Sequence, residues 1–253
     1  MGSYDAGMAQ RIVSLVPSLT ELIVHFGLAD QLAGRTRFCT EPPGALRAVP
    51  IVGGTKDPKL DRIVALRPSI VVANKEENRR EDIEALRVAG LTVLVTDPNT
   101  VEEAARMIAE VAATLGVSPL GDRLAAEIRS EAASVNPIQP AVRVFVPIWK
   151  SPWLGLGCDT YGHDLLRVAG FTNVLGDRTR YPEVTLEAIA TLTPDVVLLP
   201  DEPYPFGPKD IPAFAGIAPA IPVDGKLLWW YGPRVPEAIR ELRRLAEAIA
   251  AER

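Results

Sequence analysis

Apolar positions in this chain fall into short runs that are separated by segments with helical periodicity. The run "RIVSLV" at 11–16 is apolar and β-branched and stops at Pro17, which predicts a buried strand. Ser18 and Glu21 follow with the spacing of a capping box, and this predicts a helix that continues to about Gly27. A strand, a turn and a helix in this order form the repeating unit of α/β folds.

The same alternation continues through the rest of the first half. Thr100 and Glu103 form a second capping box, which predicts a helix that ends near Gly116. Short apolar runs predict the other strands of this half, at about 32–37, 69–73 and 92–97.

A long, charged, alanine-rich segment at 118–136, bounded by Pro119 and Pro137, predicts a single long helix. The run "VRVFVPIW" at 142–149 then begins a second α/β series. Later in this series the pattern predicts strands near 195–200 and 221–224 and helices near 161–169, 185–192 and 235–251.

The chain contains an internal sequence repeat. "LDRIVALRPSIVV" begins at Leu60 and returns at Leu186 as "LEAIATLTPDVVL", an offset of 186 − 60 = 126 residues. In each copy a proline stops a short helix, because proline cannot continue a helix and restricts the residue before it. A strand that is apolar on both faces follows, as in a buried parallel sheet. The duplication predicts two Rossmann-like α/β lobes, at 11–117 and 141–253, joined by the long helix at 118–136.

Composition narrows the class of protein. The chain has 253 residues, of which 47% are hydrophobic and 23% charged, as in ordinary globular domains. No apolar run approaches the roughly 18 residues that a membrane-spanning helix needs. The net charge is −5, and there is no basic cluster with interleaved aromatic residues, which argues against a nucleic-acid partner.

The cellular location is left open by the sequence. The stretch "MGSYDAGMAQ" contains no long apolar segment, so no signal peptide is visible. The two cysteines say little about the redox compartment. We expect an extracytoplasmic protein, periplasmic or surface-anchored, if a leader has been removed, and a cytoplasmic one if Met8 or Met1 is the native start.

Several ordered motifs carry a resemblance to a known family. They are "RIVSLVPSLTEL" (11–22), "CTEPP" (39–43), "LDRIVALRPSIVVA" (60–73), "NVLGD" (173–177), "YPEVTLEAIATLTPDVVLL" (181–199) and "GPR" (232–234). With them the chain resembles the substrate-binding proteins of ABC importers whose lobes are bridged by a rigid helix. These proteins bind cobalamin, haem or iron–siderophore complexes, and the cobalamin-binding members are the most similar. The resemblance covers nearly the whole chain and implies a ligand cleft between the lobes, no catalysis and no permanently bound cofactor.

The resemblance also implies a permease as partner. Asp61 and Glu187 match the carboxylates that, on each lobe of such proteins, meet arginine pockets of the permease. They are also equivalent in the internal repeat, since 187 − 61 = 126. Family members usually carry glutamate at both positions, so Asp61 is one methylene shorter. The alternative is that an acid in the first turn of a helix complements the helix dipole.

Ligands of open parallel sheets bind beyond the carboxyl ends of the strands. Three of the four tryptophans lie in segments that follow predicted strands. Large planar side chains suit a flat, mostly apolar ligand such as a corrin or porphyrin ring. The alternative is that Trp149, Trp153 and Trp230 close the ends of the sheets as ordinary core residues.

The resemblance places Phe38, Trp149, Trp153 and Tyr181 at aromatic positions that line the cleft. Thr55 and Asn74 stand where cobalamin-binding relatives tend to have tryptophan. The complete set of predicted ligand-binding residues is Phe38, Cys39, Thr55, Asn74, Glu76, Trp149, Trp153, Tyr181, Tyr204, Tyr231 and Arg234.

Two polar features bear on ligand chemistry. Glu76 and Glu202 are repeat mates, since 202 − 76 = 126, and a carboxylate beside the ligand suits a cationic or metal-chelating ligand or a corrinoid amide. Solvated loop acids are the alternative. Cys39 is a candidate axial ligand for cobalt or iron, and a small buried thiol is the alternative.

Rival functions rest on fewer residues. A bare-metal binder would need several converging ligands, and the only histidines are His25, in an apolar helix where partial burial is expected, and His163; no metal site is predicted. A thiol-dependent α/β enzyme would rest on Cys158 and His163 in "LGLGCDTYGHD". A cytosolic binding or sensing protein on the same scaffold is the third alternative. The sequence favours the substrate-binding component of an ABC importer, with cobalamin or a similar corrinoid or metal chelate as ligand.

Overall fold

Two four-stranded parallel sheets form the framework of the structure, a computed structural model that describes residues 10–134 and 138–252. The strands of the first sheet are β1 (Ile12–Ser14), β2 (Leu32–Arg35), β3 (Ile70–Asn74) and β4 (Val93–Thr96). Their order across the sheet is β2-β1-β3-β4, and every neighbouring pair is parallel.

The second sheet repeats this plan. The strands of the second half are β5 (Val142–Phe145), β6 (Pro147–Trp149), β7 (Leu154–Gly155), β8 (Phe171–Asn173), β9 (Val196–Pro200) and β10 (Ala220–Val223). Four of them form a parallel sheet with the order β10-β9-β5-β8, while β6 and β7 form a separate antiparallel pair. The predicted α/β class with parallel sheets is confirmed.

The helices alternate with these strands along the chain. They are α1 (Pro17–His25), α2 (Leu60–Ala65), α3 (Arg80–Val88), α4 (Val101–Thr114), α5 (Ser118–Ser134), α6 (Tyr161–Val168), α7 (Leu186–Thr191), α8 (Lys226–Trp229) and α9 (Val235–Ala251). Within residues 10–134 and 138–252, no helix is both long and apolar enough to cross a membrane.

The chain divides into two compact units. Unit 1 comprises Met1–Asp97 and Ile108–Asp122, and unit 2 comprises Pro98–Met107 and Arg123–Arg253. The division therefore falls inside α4 and inside α5. The lobe limits predicted from the sequence stay predictions, and the last two residues of the predicted helix at 118–136 lie outside the described residues.

The duplicated phrase folds into the same local structure twice. The helices α2 and α7 each have six residues, and the strands β3 and β9 each have five, with starting points 126 residues apart in both cases (186 − 60 and 196 − 70). Every residue of β3 and β9 is buried, as expected for the central strands of a parallel sheet. The repeat is therefore structural.

One of the two predicted capping boxes is wrong. Helix α1 begins at Pro17, with Val16 as its N-cap, and Ser18 is a buried residue of the first turn. The reason is local: proline at the first helical position loses no hydrogen bond, so the helix begins two residues earlier than a helix with Ser18 as its N-cap would. At α4 the Thr100 hydroxyl accepts from the Glu103 N–H at 3.1 Å, and the Glu103 carboxylate accepts from Asn99 N–H at 2.8 Å.

Each unit has its own apolar core. In unit 1 the core includes Val13, Val71, Ile63, Ile83 and Leu86. In unit 2 it includes Phe145, Val174, Leu175, Val184, Ile189, Val197, Leu199, Phe206 and Phe214. The loops at the carboxyl ends of both sheets are therefore attached to strands that pack in these cores.

Candidate ligand-binding surfaces

The carboxyl ends of parallel strands meet at one edge of a sheet, and the segments that follow them form a surface there. In unit 1 these segments are 15–16, 36–59 and 75–79, which we call the unit 1 strand-end surface. In unit 2 they are 146–153, 174–184, 201–206 and 224–234, the unit 2 strand-end surface. Except for Asn74, the last residue of β3, all the predicted ligand-binding residues fall in these segments of the chain.

Phe38 is the exposed aromatic residue of the unit 1 surface, with half of its surface accessible. The Arg37 guanidinium lies 4.8 Å from the centroid of the Phe38 ring. Asp57 fixes that guanidinium by accepting two hydrogen bonds, of 2.9 and 3.0 Å, which lower the pKa of Asp57. The geometry holds Arg37 beside an open aromatic face.

Two residues predicted to contact the ligand lie inside unit 1 instead. Cys39 is fully buried, its Sγ lies 3.1 Å from Thr36 Oγ1, and burial raises the pKa of its thiol. Asn74 is 1% exposed and all of its amide atoms bond to neighbouring residues of the same unit. The interior supplies polar partners for both side chains, and this is why they are not on the surface.

The remaining polar candidates of unit 1 differ in depth, because Thr55 is buried and Glu76 is at the surface. Thr55 is 9% exposed, whereas Glu76 is exposed. Glu77 is half-buried, and burial raises the pKa of its carboxyl group. The Lys56 ammonium donates a hydrogen bond to the Glu76 carbonyl. The unit 1 surface is thus polar and charged around its single exposed phenylalanine.

The unit 2 surface carries a connected set of aromatic rings, Trp149, Tyr204, Phe206 and Trp153, which we call the aromatic row. Trp149 is 43% exposed and packs edge-on against Tyr204, with centroids 5.5 Å apart. Tyr204 contacts Phe206 at 4.5 Å, and Phe206 stacks on Trp153 at 6.0 Å with an interplanar angle of 4°. Trp153 also packs edge-on against the core residue Phe214. The row therefore runs from solvent into the core.

An ion pair supports the row from one side. Lys150 Nζ donates to Asp210 Oδ1 at 2.8 Å and lies 5.5 Å from the Trp153 ring centroid. Asp210 is 2% exposed, and its second oxygen accepts from Gly207 N–H at 3.1 Å. Burial opposes ionisation of Asp210, but the bonds from Lys150 and Gly207 outweigh it and lower its pKa.

Tyr181 and Tyr231 occupy different depths of the unit 2 surface. Tyr181 is half-buried, and the Arg180 guanidinium lies 5.4 Å from its ring centroid. Tyr231 is 7% exposed and packs edge-on against Tyr161 at 5.8 Å. Arg234, half-buried, lies 5.4 Å from the Trp230 ring.

Trp230 is buried, with 7% of its surface exposed, and its Nε1–H donates to Glu202 Oε1 at 2.8 Å. Burial raises the pKa of Glu202, although the Trp230 hydrogen bond acts in the opposite direction. The alternative of tryptophans as sheet-end core residues therefore describes Trp230, but not the exposed Trp149.

The histidines do not gather metal ligands. His25 is the last residue of α1 and is exposed, so the prediction of a partly buried packing histidine is wrong; the helix ends two residues before Gly27, the end that the pattern predicted. His163 Nδ1 lies 3.2 Å from Asn173 Nδ2, which also donates to Leu156 O, so the ring nitrogen accepts. Burial lowers the pKa of His163. Among the described residues no group of three or more His, Cys, Asp or Glu side chains could hold a metal ion.

Asp61 and Glu187 occupy equivalent places on the two units. Each is the second residue of a six-residue helix, α2 or α7, and each is exposed. Both carboxylates are therefore accessible in the first turn of their helices.

A profile of the periplasmic binding protein family matches residues 12–213. The chain belongs to this family, whose members are non-enzymatic substrate-binding components of transport systems.

Individual relatives cover most of the chain. The uncharacterized ABC transporter substrate-binding lipoprotein YvrC of Bacillus subtilis is 26% identical over 255 residues, which cover 95% of this chain and 80% of that protein. The vitamin B12-binding protein of Salmonella typhimurium is 26% identical over 246 residues, 96% of this chain and 91% of that protein. A solved periplasmic heme binding protein from Pseudomonas aeruginosa is 25% identical with a TM-score of 0.78, and the match covers 94% of this chain and 93% of that one.

Proposed function

We propose that this protein is the substrate-binding component of an ABC importer and that it captures cobalamin or a similar corrinoid or metal chelate. Family membership and the relatives named for vitamin B12 and for ABC transport support the proposal. The observation that carries it is the aromatic row, in which Trp149 is 43% exposed and backed by Tyr204.

Aromatic rings that face solvent favour a flat apolar ligand. Burying apolar surface contributes about 25 cal/mol per Å², so a ring plane that covers the exposed part of Trp149 is strongly favoured. Tyr204 fixes the orientation of Trp149, so little side-chain freedom is lost on binding. Tyr181 lies on the same surface and adds a further ring.

The unit 1 surface fits the polar groups at the edge of such a ligand better than its flat apolar face. The exposed carboxylate of Glu76 accepts hydrogen bonds, as the amide side chains of a corrinoid require. Phe38 offers one apolar contact in the same surface. We propose that Phe38, Thr55 and Glu76 contact the ligand, together with Trp149, Trp153, Tyr181, Tyr204, Tyr231 and Arg234.

Haem is the second candidate ligand. The relative from Pseudomonas aeruginosa is named for heme binding, and the same aromatic row would accept a porphyrin face. Haem iron also takes an axial ligand from the protein, and tyrosine is one of the residues that serve. Tyr181 and Tyr204, both half-buried on the unit 2 surface, are the candidates.

A titration separates the two candidates. Purified protein is titrated with cyanocobalamin, with haem and with a ferric siderophore, and heat and absorbance are followed together. The proposal expects saturable binding of cyanocobalamin with one ligand per chain. Saturable binding of haem alone would replace the corrinoid with a porphyrin, and saturable binding of the siderophore alone would replace it with an iron chelate. Binding of none of the three would remove the ligand proposal.

We further propose that the permease binds Asp61 and Glu187. Carboxylate–guanidinium pairs are strong and directional, and an exposed acid on each unit gives a two-point contact. In agreement with the relatives, we propose an extracytoplasmic location. A cytosolic binding or sensing protein on the same scaffold is the alternative, and fractionation of cells that produce the native gene product distinguishes them.

A further inference from the structure

Two buried asparagines connect the segments of the unit 1 strand-end surface. Asn78, which is 4% exposed, donates from Nδ2 to Leu15 O at 3.3 Å and to Thr55 O at 3.0 Å. Its Oδ1 accepts from Asn74 N–H at 2.9 Å. One amide therefore joins the segments that follow β1, β2 and β3.

Asn74 extends the connection to β4 and to the turn after β3. Its Nδ2 donates to Thr96 O at 2.9 Å and to Thr96 Oγ1 at 3.2 Å. Its Oδ1 accepts from the N–H groups of Glu76 and Glu77 at 2.8 and 3.2 Å. An amide has two donor hydrogens and two acceptor lone pairs, so Asn74 makes every hydrogen bond available to it.

The Thr96 hydroxyl closes the network. It accepts from Asn74 and donates to Ala73 O at 3.2 Å, so both of its roles are used. A buried polar network whose members are all satisfied rigidifies the groups it joins and specifies one arrangement. Here the groups it joins are surface segments that carry Thr55 and Glu76.

We propose that Asn78 and Asn74 are positioning residues that hold the unit 1 strand-end surface in its binding arrangement before the ligand arrives. This inference rests on the proposed function, because it assigns the held surface to ligand contact. Asn74 was predicted to touch the ligand; it acts instead through the backbone of Glu76. A surface that is already ordered loses less conformational freedom on binding, so the network raises affinity without contact.

Hydrogen exchange tests the holding role in the ligand-free protein. The variants are Asn74→Leu and Asn78→Leu, which are close in size and cannot bond. Leu86→Ala is the matched control, because Leu86 is 1% exposed in α3 and belongs to the unit 1 core. We expect the amides of Glu76 and Glu77 to exchange at least ~10-fold faster in Asn74→Leu, relative to amides of β3. In Leu86→Ala that ratio should stay unchanged.

Ligand affinity tests the consequence. For Asn78→Leu we expect cyanocobalamin affinity to fall by ~10-fold or more, with the Leu86→Ala affinity near that of the wild type at a temperature where both are folded. If Asn78→Leu does not fold, Asn78→Ser, which is smaller and polar, replaces it.

The outcomes separate the two proposals. Unchanged exchange at Glu76 and Glu77 in Asn74→Leu overturns the positioning inference, whether or not a ligand is found. Wild-type affinity in Asn78→Leu also overturns it. A wild-type protein that binds none of cyanocobalamin, haem and the ferric siderophore removes the proposed ligand class, while the exchange result still decides whether the two asparagines hold the surface.

Discussion

Arg67 and Thr193 have the same left-handed backbone conformation, with φ of 46° and 44°, at positions 126 residues apart (193 − 67). Each is the residue directly before the proline that follows a short helix. Positive φ is uncommon for residues other than glycine, and for a β-branched side chain it is a true outlier. The duplicated phrase therefore preserves a strained turn as well as an apolar pattern.

The same turn is held from outside in both units. Arg11 Nη2 donates to Leu66 O at 2.9 Å, and Arg143 Nη2 donates to Leu192 O at 2.6 Å. Arg11 directly precedes β1, which pairs with β3, and Arg143 is the second residue of β5, which pairs with β9. The carbonyls left free at the ends of α2 and α7 are thus satisfied by a neighbouring strand.

We expect Thr193→Gly to stabilise the protein. Glycine relieves a left-handed conformation that costs about 1–2 kcal/mol for other residues, and its greater freedom in the unfolded chain offsets about 0.5–1 kcal/mol. The net gain in unfolding free energy should be about 0.5–1 kcal/mol, measured by chemical denaturation. Ala190→Gly, an exposed change inside α7, is the control and should cost about 1 kcal/mol. Equal losses in the two variants would show that the turn is not strained.

Tyr161 places a buried hydroxyl without a partner in unit 2. The residue is 6% exposed, and within the described residues no atom hydrogen-bonds to its Oη. Tyr161→Phe removes an unsatisfied polar group and keeps the ring that packs against Tyr231. The unfolding free energy should rise by up to about 1 kcal/mol, whereas Tyr161→Ala should lower it by about 3–5 kcal/mol. A clear loss in Tyr161→Phe, seen in thermal or urea unfolding, would reveal a hydrogen bond.

The Lys150–Asp210 pair should make stability depend on pH. The folded-state pKa of Asp210 is lowered, so its contribution is present above the unfolded pKa and is lost as pH falls through the folded value. Lys150→Met leaves a buried carboxylate without its cation, so we expect a lower unfolding free energy at pH 7, with an effect moderated by solvent because the Lys150 side chain is 35% exposed.

Urea unfolding across the acid range provides the test of this pair. The loss of unfolding free energy in Lys150→Met should become smaller as pH falls below the usual aspartate range. In a protein that already carries Asp210→Asn, the Lys150→Met change should cause much less of this loss. A deficit that stays constant from pH 7 to pH 3 would assign the effect to packing on Trp153.

The exposed acids should act in delivery alone. The double variant Asp61→Ala, Glu187→Ala should keep wild-type ligand affinity and unfolding free energy, because both side chains are exposed in first turns. Ligand uptake through the cognate permease should fall by about 10-fold or more. The matched control is Glu110→Ala, Asp122→Ala, which removes the same charge from exposed positions. Normal uptake in the variant Asp61→Ala, Glu187→Ala would contradict the permease contact and would leave these acids only the interaction with the helix dipole.

Sequence patterns predicted those strands and helices whose formation depends on neighbouring residues in the chain. The strands β3 and β9 were predicted because their residues form unbroken apolar runs ended by turn residues. Helix α3 was not predicted, since "REDIEALRV" buries only Asp82, Ile83 and Leu86 and is otherwise polar. The Ser18 capping box was wrong because Pro17 begins α1 earlier.

The same distinction applies to the candidate site. Topology places residues after the strands at one edge, so Trp149 and Tyr204 could be predicted from sequence, whereas their edge-on contact could not. The burial of Asn74 depends on Thr96, 22 residues away and on another strand, and a sequence pattern holds no sign of that pairing. Asn78 was missed for the same reason; its position four residues after Asn74 was the available signal.

Substitutions of Trp149 and Trp153 compare the two ends of the aromatic row. Trp149 is the exposed end of the aromatic row, while Trp153 lies between Phe206 and Phe214. Trp149→Ala should leave unfolding nearly unchanged and weaken cyanocobalamin binding by about 1–3 kcal/mol. Trp153→Ala should lower the unfolding free energy by about 3–5 kcal/mol.

Isothermal titration calorimetry of cyanocobalamin into the wild-type protein and Trp149→Ala is therefore the most direct measurement. We expect saturable one-to-one binding to the wild type and a dissociation constant about 5- to 150-fold higher in the variant. Identical isotherms for the two proteins would contradict the account, because the exposed ring of the aromatic row would then lie outside the ligand contact.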